Sequence, residues 1–293
     1  MLAPLRVLGL QLAATPGDLA GNLHRAAAAI RAHPGYHLYV LPELSCNGYG
    51  DSVLAALEDH AQDALTGEAA VFFGHVAREV DAHVCFGLLR RQETASGSDG
   101  RGAHYSICQA VSAPDGRVAL MYDKMHLCDM GQCSEMGHGL GRGDTPGVFS
   151  INGWRIGVTI CYDVRFPELW RRLAWDERCD LIVHPSAFVR DATFACYQQF
   201  VTTRAVENGV YVLSVNHAGA QFGDSLAVPP WVGPVPGLKD DLAAASLGIE
   251  EGVLPLLVDP AHLAAVRRAY PYRRDLNPAL RSPSQVSLQG SQT

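Results

Sequence analysis

Residues 156–168 read Ile156-Gly-Val-Thr-Ile-Cys161-Tyr-Asp-Val-Arg-Phe-Pro-Glu168, and this stretch has the pattern of a strand, a turn and a helix in succession. The β-branched, apolar run before the cysteine predicts a buried strand over residues 155–160. Pro167 stands where a first helical position is expected, which predicts a helix over residues 167–176. The stretch therefore places a thiol on a tight turn between a strand and a helix.

Two other stretches end a buried strand on a reactive side chain. Leu38-Tyr-Val-Leu-Pro-Glu43 delivers a carboxylate, and Leu120-Met-Tyr-Asp-Lys124 delivers an ammonium group. Because α/β folds gather their active groups at strand ends, we expect Glu43, Lys124 and Cys161 to meet. In such a site the carboxylate can accept the thiol proton, and the lysine can stabilise a developing oxyanion.

The remaining pattern is typical of an α/β fold with mixed sheets. Further buried strands are predicted at residues 7–13, 37–41, 84–89, 180–184 and 210–215, and helices at 22–32, 67–80 and 191–207. Turn residues 114–116 and 152–153 predict two β-hairpins, so antiparallel pairs should stand beside parallel ones. We expect one domain over residues 1–281 and a flexible Ser/Gln-rich tail over 282–293.

Composition narrows the function classes. The 293 residues carry a formal net charge of -7 and are 48% hydrophobic, which favours a folded chain and argues against general binding to nucleic acid or anionic membranes. The N-terminal residues lack the pattern of a signal peptide, and no apolar run is long enough to span a bilayer. The eight cysteines are accordingly interpreted as reduced thiols of a cytoplasmic protein.

Three ordered segments resemble the signature segments of the nitrilase superfamily of carbon–nitrogen hydrolases. They are Pro42-Glu43, Asp123-Lys124-Met-His-Leu127, and Gly157 to Glu168. The resemblance extends over residues 5–275 and implies a four-layer α-β-β-α sandwich, usually paired into homodimers or larger homo-oligomers. It also implies that Cys161 attacks the substrate, Glu43 moves the proton and Lys124 steadies the intermediate, with no metal or organic cofactor.

The resemblance further implies a second glutamate after the lysine segment. Glu135, in Cys133-Ser-Glu-Met136, is the candidate. A set formed by Cys128, Cys133 and His138 could instead bind a metal ion, but its spacing is unlike that of zinc ribbons. We therefore predict no metal site.

Five residues are candidates for the substrate pocket: Tyr49, Tyr162, Arg165, Phe188 and Trp231. For the four aromatic residues the alternative is ordinary packing in the core or at an interface. The stiff Pro-Pro-Trp-Val-Gly-Pro loop around Trp231 is the candidate lid. Arg165 could hold a distal substrate carboxylate through its planar guanidinium; for both Arg165 and Glu168 the alternative is a structural ion pair near the Cys161 turn.

The sequence after the cysteine looks most like the branch of ω-amidases and deaminated-glutathione amidases. We therefore expect an amidase that converts a small carboxamide to an acid and ammonia through a thioester. Hydrolysis of N-carbamoyl (ureido) compounds or of nitriles remains an alternative, because both use the same three residues. A non-catalytic binding or assembly module that retains the fold is the alternative from a different class.

Overall fold

The computed structural model describes residues 2–93, 103–130 and 133–280, so the predicted tail at 282–293 lies outside the described residues. One six-stranded sheet has the order β12-β1-β2-β3-β4-β5, and the other has the order β11-β10-β9-β8-β7-β6. The strands are β1 (Leu5–Gln11), β2 (Leu38–Val40), β3 (His83–Glu93), β4 (Ala103–Ser112), β5 (Val118–Asp123), β6 (Gly147–Ile151), β7 (Trp154–Val158), β8 (Leu181–Pro185), β9 (Tyr211–Val215), β10 (Leu226–Val228), β11 (Ala245–Ser246) and β12 (Gly252–Val258).

Both sheets are mixed, as predicted. In the first sheet β1, β2 and β3 are parallel, while β12, β4 and β5 join by antiparallel pairing. In the second sheet β7, β8 and β9 are parallel, and the outer strands are antiparallel. The two hairpins are also confirmed. The β6–β7 turn places Asn152 at φ 50° and Gly153 at φ 85°, the left-handed pair that a two-residue hairpin turn needs.

The two sheets pack face to face around the main core. Alternation along β1 shows how: Leu5 and Val7 belong to the core between the sheets, whereas Leu8 and Leu10 point to the other face. At Gly9 a Cβ atom would lie 2.9 Å from the Val215 side chain of the opposite sheet. The missing side chain therefore allows β1 and β9 to approach closely.

Helices cover the outer face of each sheet. The helices are α1 (Leu19–Ala32), α2 (Asp51–Leu54), α3 (Leu57–His60), α4 (Glu68–Val80), α5 (Pro167–Arg171), α6 (Tyr197–Asn208), α7 (Pro260–Ala269) and α8 (Tyr272–Asp275). Apolar residues of α1 and α4 pack on the first sheet, and those of α5 and α6 pack on the second. The predicted α-β-β-α sandwich is therefore confirmed. No helix of the described ranges is long and apolar enough to cross a bilayer.

Two helices differ from the sequence prediction by more than three residues at one end. The helix predicted over 167–176 is α-helical only to Arg171 and continues as one π turn, Arg172–Asp176. The helix predicted over 191–207 begins at Tyr197, after a short 3-10 turn at Phe194–Cys196. The Asp191 carboxylate accepts hydrogen bonds from the backbone and side chain of Thr193, and this local turn competes with the helix.

Candidate active site

Three buried charged residues meet at one end of the sandwich, between the two sheets. The Lys124 ammonium donates hydrogen bonds of 2.7 Å to Oε1 of Glu43 and of 2.7 Å to Oε1 of Glu135. All three side chains are at most 1% exposed. Glu43 lies just beyond β2 and Lys124 directly follows β5, as the strand-end argument predicts. A lysine between two carboxylates is the arrangement that a buried ammonium requires.

The nucleophile candidate reaches the same place from the opposite sheet. Cys161 follows β7 and begins a 3-10 turn, Cys161–Arg165, with φ 38°. This left-handed φ is costly for a side chain other than glycine, and such strain is found mainly at functional sites. The Ala187 N–H donates to Oε2 of Glu43 at 2.9 Å, and the same amide lies close enough to the Cys161 sulfur to lower the pKa of the thiol. One backbone amide therefore joins the carboxylate and the sulfur.

Asp163 fixes the turn that carries the nucleophile. Its buried carboxylate accepts hydrogen bonds from Ile160 N–H at 2.9 Å and from the Tyr122 hydroxyl at 2.7 Å. It also accepts from the backbone N–H and Nδ1 of His126, at 3.0 and 2.8 Å. Because Tyr122 and His126 flank Lys124 in sequence, Asp163 ties the cysteine turn to the lysine segment.

The surroundings shift the pKa values of the reacting groups. Burial raises the pKa of Glu43, the Lys124 ammonium lowers it, and Glu135 raises it again, with a net increase. Burial lowers the pKa of Lys124, but Glu135 and Glu43 outweigh it, so the net pKa is well above the ordinary value. Burial and then the Glu43 charge raise the pKa of Cys161. At neutral pH the cysteine is thus a thiol, beside a carboxylate made more basic than usual.

Glu135 lies in the loop between β5 and β6 and is held by groups on both sides. Its Oε2 accepts a 2.8 Å hydrogen bond from the Cys128 N–H, and its Oε1 accepts one of 3.1 Å from the Tyr49 hydroxyl. The structure therefore brings Glu135 and Tyr49, both predicted from sequence, to Lys124. Tyr49 contacts this site through its hydroxyl group, whereas the sequence suggested only an aromatic wall.

Arg165 lies at the far end of the cysteine turn in an aromatic surround. Its guanidinium carbon is 5.6, 5.3 and 5.2 Å from the ring centroids of Tyr162, Phe188 and Phe200. Nη2 donates to the Thr193 hydroxyl at 2.8 Å, while the buried Nε has no hydrogen-bond partner. Within residues 2–93, 103–130 and 133–280, no carboxylate forms an ion pair with Arg165. Glu168 is exposed and forms no ion pair with Arg165 in this part of the chain.

Trp231 lies apart from these residues. Its ring stacks on Tyr270 at 3.8 Å between centroids, and it packs against an apolar cluster that includes Val235 and Val266. The structure therefore does not bring the predicted lid residue to the charged centre. Its contacts join the proline-rich loop to helix α7.

Two residues that the sequence did not assign to the site hydrogen-bond the backbone beside it. His217 Nε2 lies 2.7 Å from the Glu43 carbonyl oxygen, and Asn216 Oδ1 accepts the N–H of Phe188. His217 thus holds the backbone of Glu43, and Asn216 holds the backbone of Phe188, next to the Ala187 amide. No local pattern in the sequence signals either role, because each of these contacts joins segments 28 or more positions apart. In the described part of the chain no cluster of three or more His, Cys, Asp or Glu side chains could hold a metal ion.

Comparison with known proteins places the chain among amide hydrolases. The family model for carbon-nitrogen hydrolase matches residues 6–245. Omega-amidase NIT2-A of Xenopus laevis is 31% identical over 265 residues, which cover 86% of this chain and 88% of that protein.

Solved structures agree with this result. An amidase from Nesterenkonia sp. AN1, whose structure records Michael addition of acrylamide at its active-site cysteine, is 29% identical with a TM-score of 0.68, covering 93% of this chain and 100% of that one. Nit3 of Saccharomyces cerevisiae, a member of the nitrilase superfamily, shares the fold with a TM-score of 0.74 at 24% identity, covering 92% and 96%. The chain belongs to the carbon-nitrogen hydrolase family, as its motifs predict.

Proposed function

We propose that the protein is a cysteine-dependent amidase that converts a small linear carboxamide to the acid and ammonia. The observation that carries this proposal is the Ala187 amide, which hydrogen-bonds the Glu43 carboxylate at 2.9 Å and lies close enough to the Cys161 thiol to lower its pKa. Lys124 bonds the same carboxylate at 2.7 Å. A base, a nucleophile and a cation are thus within reach of one substrate carbon. The relatives named as omega-amidase and amidase support this reaction class.

In the first half of the reaction, the Cys161 sulfur attacks the amide carbon while Glu43 takes the thiol proton. The oxyanion that forms faces the Lys124 ammonium and the backbone N–H of Tyr162. Glu43 then returns the proton to the nitrogen, the carbon–nitrogen bond breaks, ammonia leaves, and the acyl group remains as a thioester on Cys161.

In the second half, Glu43 accepts a proton from water, and the resulting hydroxide attacks the thioester carbon. The carbon–sulfur bond breaks, the acid leaves, and the proton held by Glu43 restores the thiol. Glu135 contributes by holding Lys124 between two carboxylates, so that its charge stays fixed through both halves. No metal or organic cofactor takes part in these steps.

We further propose that the preferred substrate carries a carboxylate at the end distal to its amide group. Arg165 supports this choice, because its charge lacks a carboxylate partner in the described chain and its buried Nε lacks a hydrogen-bond partner. A carboxylate can use such a guanidinium fork in a bidentate fashion. Tyr162 and Phe188, whose rings pack against the guanidinium, would line the pocket between Arg165 and Cys161.

The test is ammonia release from matched amides, with and without a distal carboxylate, alongside ureido acids and nitriles. We expect turnover with wild-type protein and with Cys196→Ala, which changes an exposed cysteine, and no turnover with Cys161→Ala. Carbon dioxide released with ammonia would show a carbamoyl hydrolase instead, and acid formed from nitriles would show a nitrilase. A folded protein that releases ammonia from none of these compounds would favour a non-catalytic module.

Assembly and location are also proposals. The family resemblance supports a homodimer, which light scattering after size-exclusion chromatography would test. All eight cysteines are free, which supports a reducing, cytoplasmic compartment. The single domain expected over residues 1–281 stays a prediction.

A further inference from the structure

Two cysteines on the loop that holds Glu135 remain without a role in the reaction proposed above. The side chains of Cys128 and Cys133 lie close enough to shift each other's pKa values. The backbone brings them together, because the Cys133 N–H bonds the Met130 carbonyl at 3.1 Å and the Glu135 N–H bonds the Cys128 carbonyl at 3.0 Å. Both residues are partly exposed, so a small oxidant can reach them.

These thiols are connected to Lys124 through Glu135. Cys133 Sγ lies 3.0 Å from the Tyr49 hydroxyl, and that hydroxyl bonds Oε1 of Glu135. The Cys128 N–H bonds Oε2 of the same carboxylate at 2.8 Å. Any change in the distance between the two sulfurs therefore pulls on groups that fix Glu135.

The thiols differ in reactivity in a way that suits stepwise oxidation. The pKa of Cys128 is lowered, because the Cys133 thiol donates a hydrogen bond to its sulfur. The pKa of Cys133 is raised for the same reason. Burial raises the pKa of Cys161, which keeps the nucleophile protonated. Since the thiolate is the form that reacts, a peroxide should attack Cys128 before Cys161.

We propose that Cys128 and Cys133 form a reversible disulfide in the presence of peroxide and that this disulfide switches the enzyme off. The Cys128 thiolate attacks one peroxide oxygen, which gives a sulfenic acid and, after protonation, one water. The Cys133 thiol then attacks the sulfenic sulfur, the sulfur–sulfur bond forms, and the sulfenic oxygen leaves as a second water. Two thiols are oxidised while one hydrogen peroxide is reduced to two waters.

Inactivation follows from geometry. A disulfide holds its sulfurs at ~2.05 Å, so the two free sulfurs must move towards each other, which disturbs the 3.0 Å contact between Cys133 and the Tyr49 hydroxyl. Both the Tyr49 and Cys128 contacts to Glu135 are then displaced, and Lys124 loses the fixed position of its second carboxylate. This inference rests on the proposed catalytic role of Lys124.

The chemical test does not depend on turnover. Trypsin cleavage after Lys124 and Arg142 releases one peptide, Met125–Arg142, that contains both cysteines and no others. In Cys161→Ala protein treated with hydrogen peroxide, we expect this peptide to lose two hydrogen atoms and to resist alkylation until it is reduced. The result stands even if the protein has no amidase activity, which separates failure of this inference from failure of the proposed function.

The activity test compares each protein before and after peroxide. Wild type and Cys196→Ser should lose at least about tenfold in kcat, equivalent to ~1.4 kcal/mol in the barrier, and dithiothreitol should restore it. Cys128→Ser and Cys133→Ser should each keep their own untreated rate. The inference is overturned if the peptide stays reduced while wild type is inactivated, if Cys128→Ser is inactivated as fast as wild type, or if the disulfide forms without loss of rate.

Discussion

Replacing Asp163 with alanine tests whether one carboxylate holds the nucleophile turn against the lysine segment. The change removes the acceptor of four hydrogen bonds, from Ile160, Tyr122 and two groups of His126. The His126 side chain is 26% exposed, so water can replace its partner. Tyr122 and Ile160 are 1% and 0% exposed, and water cannot reach their donors without a rearrangement.

The expected loss of stability follows from these two buried donors. A buried donor left without a partner costs ~1–3 kcal/mol, so the free energy of unfolding should fall by ~2–6 kcal/mol. That is a large part of the ~5–15 kcal/mol that stabilises a typical domain. Displacing the Cys161 turn should also reduce kcat by about 100-fold, the scale expected for a misplacement of ~1 Å.

Urea denaturation followed by circular dichroism measures the stability change, and ammonia release measures the rate. Asp115→Ala is the matched control, because Asp115 accepts hydrogen bonds from exposed Arg117 and its loss should change the free energy of unfolding by less than ~0.5 kcal/mol. The reasoning is refuted if Asp163→Ala unfolds within ~1 kcal/mol of wild type. If kcat is unchanged although the variant is much less stable, Asp163 stabilises the fold but does not position Cys161.

Three further predictions concern the charges around the site. Glu135→Gln removes a charge that raises the pKa of Glu43, so the acid limb of kcat/KM should move to lower pH; an unchanged limb would contradict the assignment of Glu43 as base. Burial lowers the pKa of His217 from 6.5 to about 4, so the unfolded chain takes up its proton first as pH falls. Wild type should lose ~3 kcal/mol of stability between pH 6.5 and 4 through this residue, and urea titrations of His217→Gln should lack that component. Arg165→Met should raise KM for amides with a distal carboxylate by at least about tenfold, because a lost charged hydrogen bond costs at least ~1.4 kcal/mol, and KM for neutral amides should stay nearly unchanged. Equal changes in KM for both classes of amide would exclude a carboxylate site.

Local sequence patterns predict much of the architecture. The Val- and Ile-rich runs predict the central strands β1, β2, β3, β8 and β9, because strands covered on both faces must be apolar throughout. Glu43, Lys124 and Cys161 could be predicted to meet because each lies at or just beyond the end of a predicted strand. Asn152-Gly153 likewise encodes its hairpin in two residues.

Contacts between distant segments could not be predicted in the same way. The bond from Ala187 to Glu43 joins residues 144 positions apart, and that from His217 to Glu43 spans 174. Neither is visible in any local pattern. Strand β12 was missed because it contains Pro255, which is tolerated only where no ladder hydrogen bond is needed, as on this edge strand. The stacking of Trp231 on Tyr270 could not be predicted for a related reason, since Tyr270 lies far along the chain, just after helix α7.

The most direct test of the account is detection of the acyl group on Cys161 during turnover. Trypsin releases Ile156–Arg165, in which Cys161 is the only cysteine. Wild-type protein is mixed with a reactive amide and quenched with acid, and mass spectrometry should then find this peptide carrying the acyl group. Hydroxylamine should remove the acyl group, and the peptide from Lys124→Met protein should not carry it. Ammonia release without any acyl group on this peptide, or equal release by Cys161→Ala, would contradict nucleophilic catalysis by Cys161.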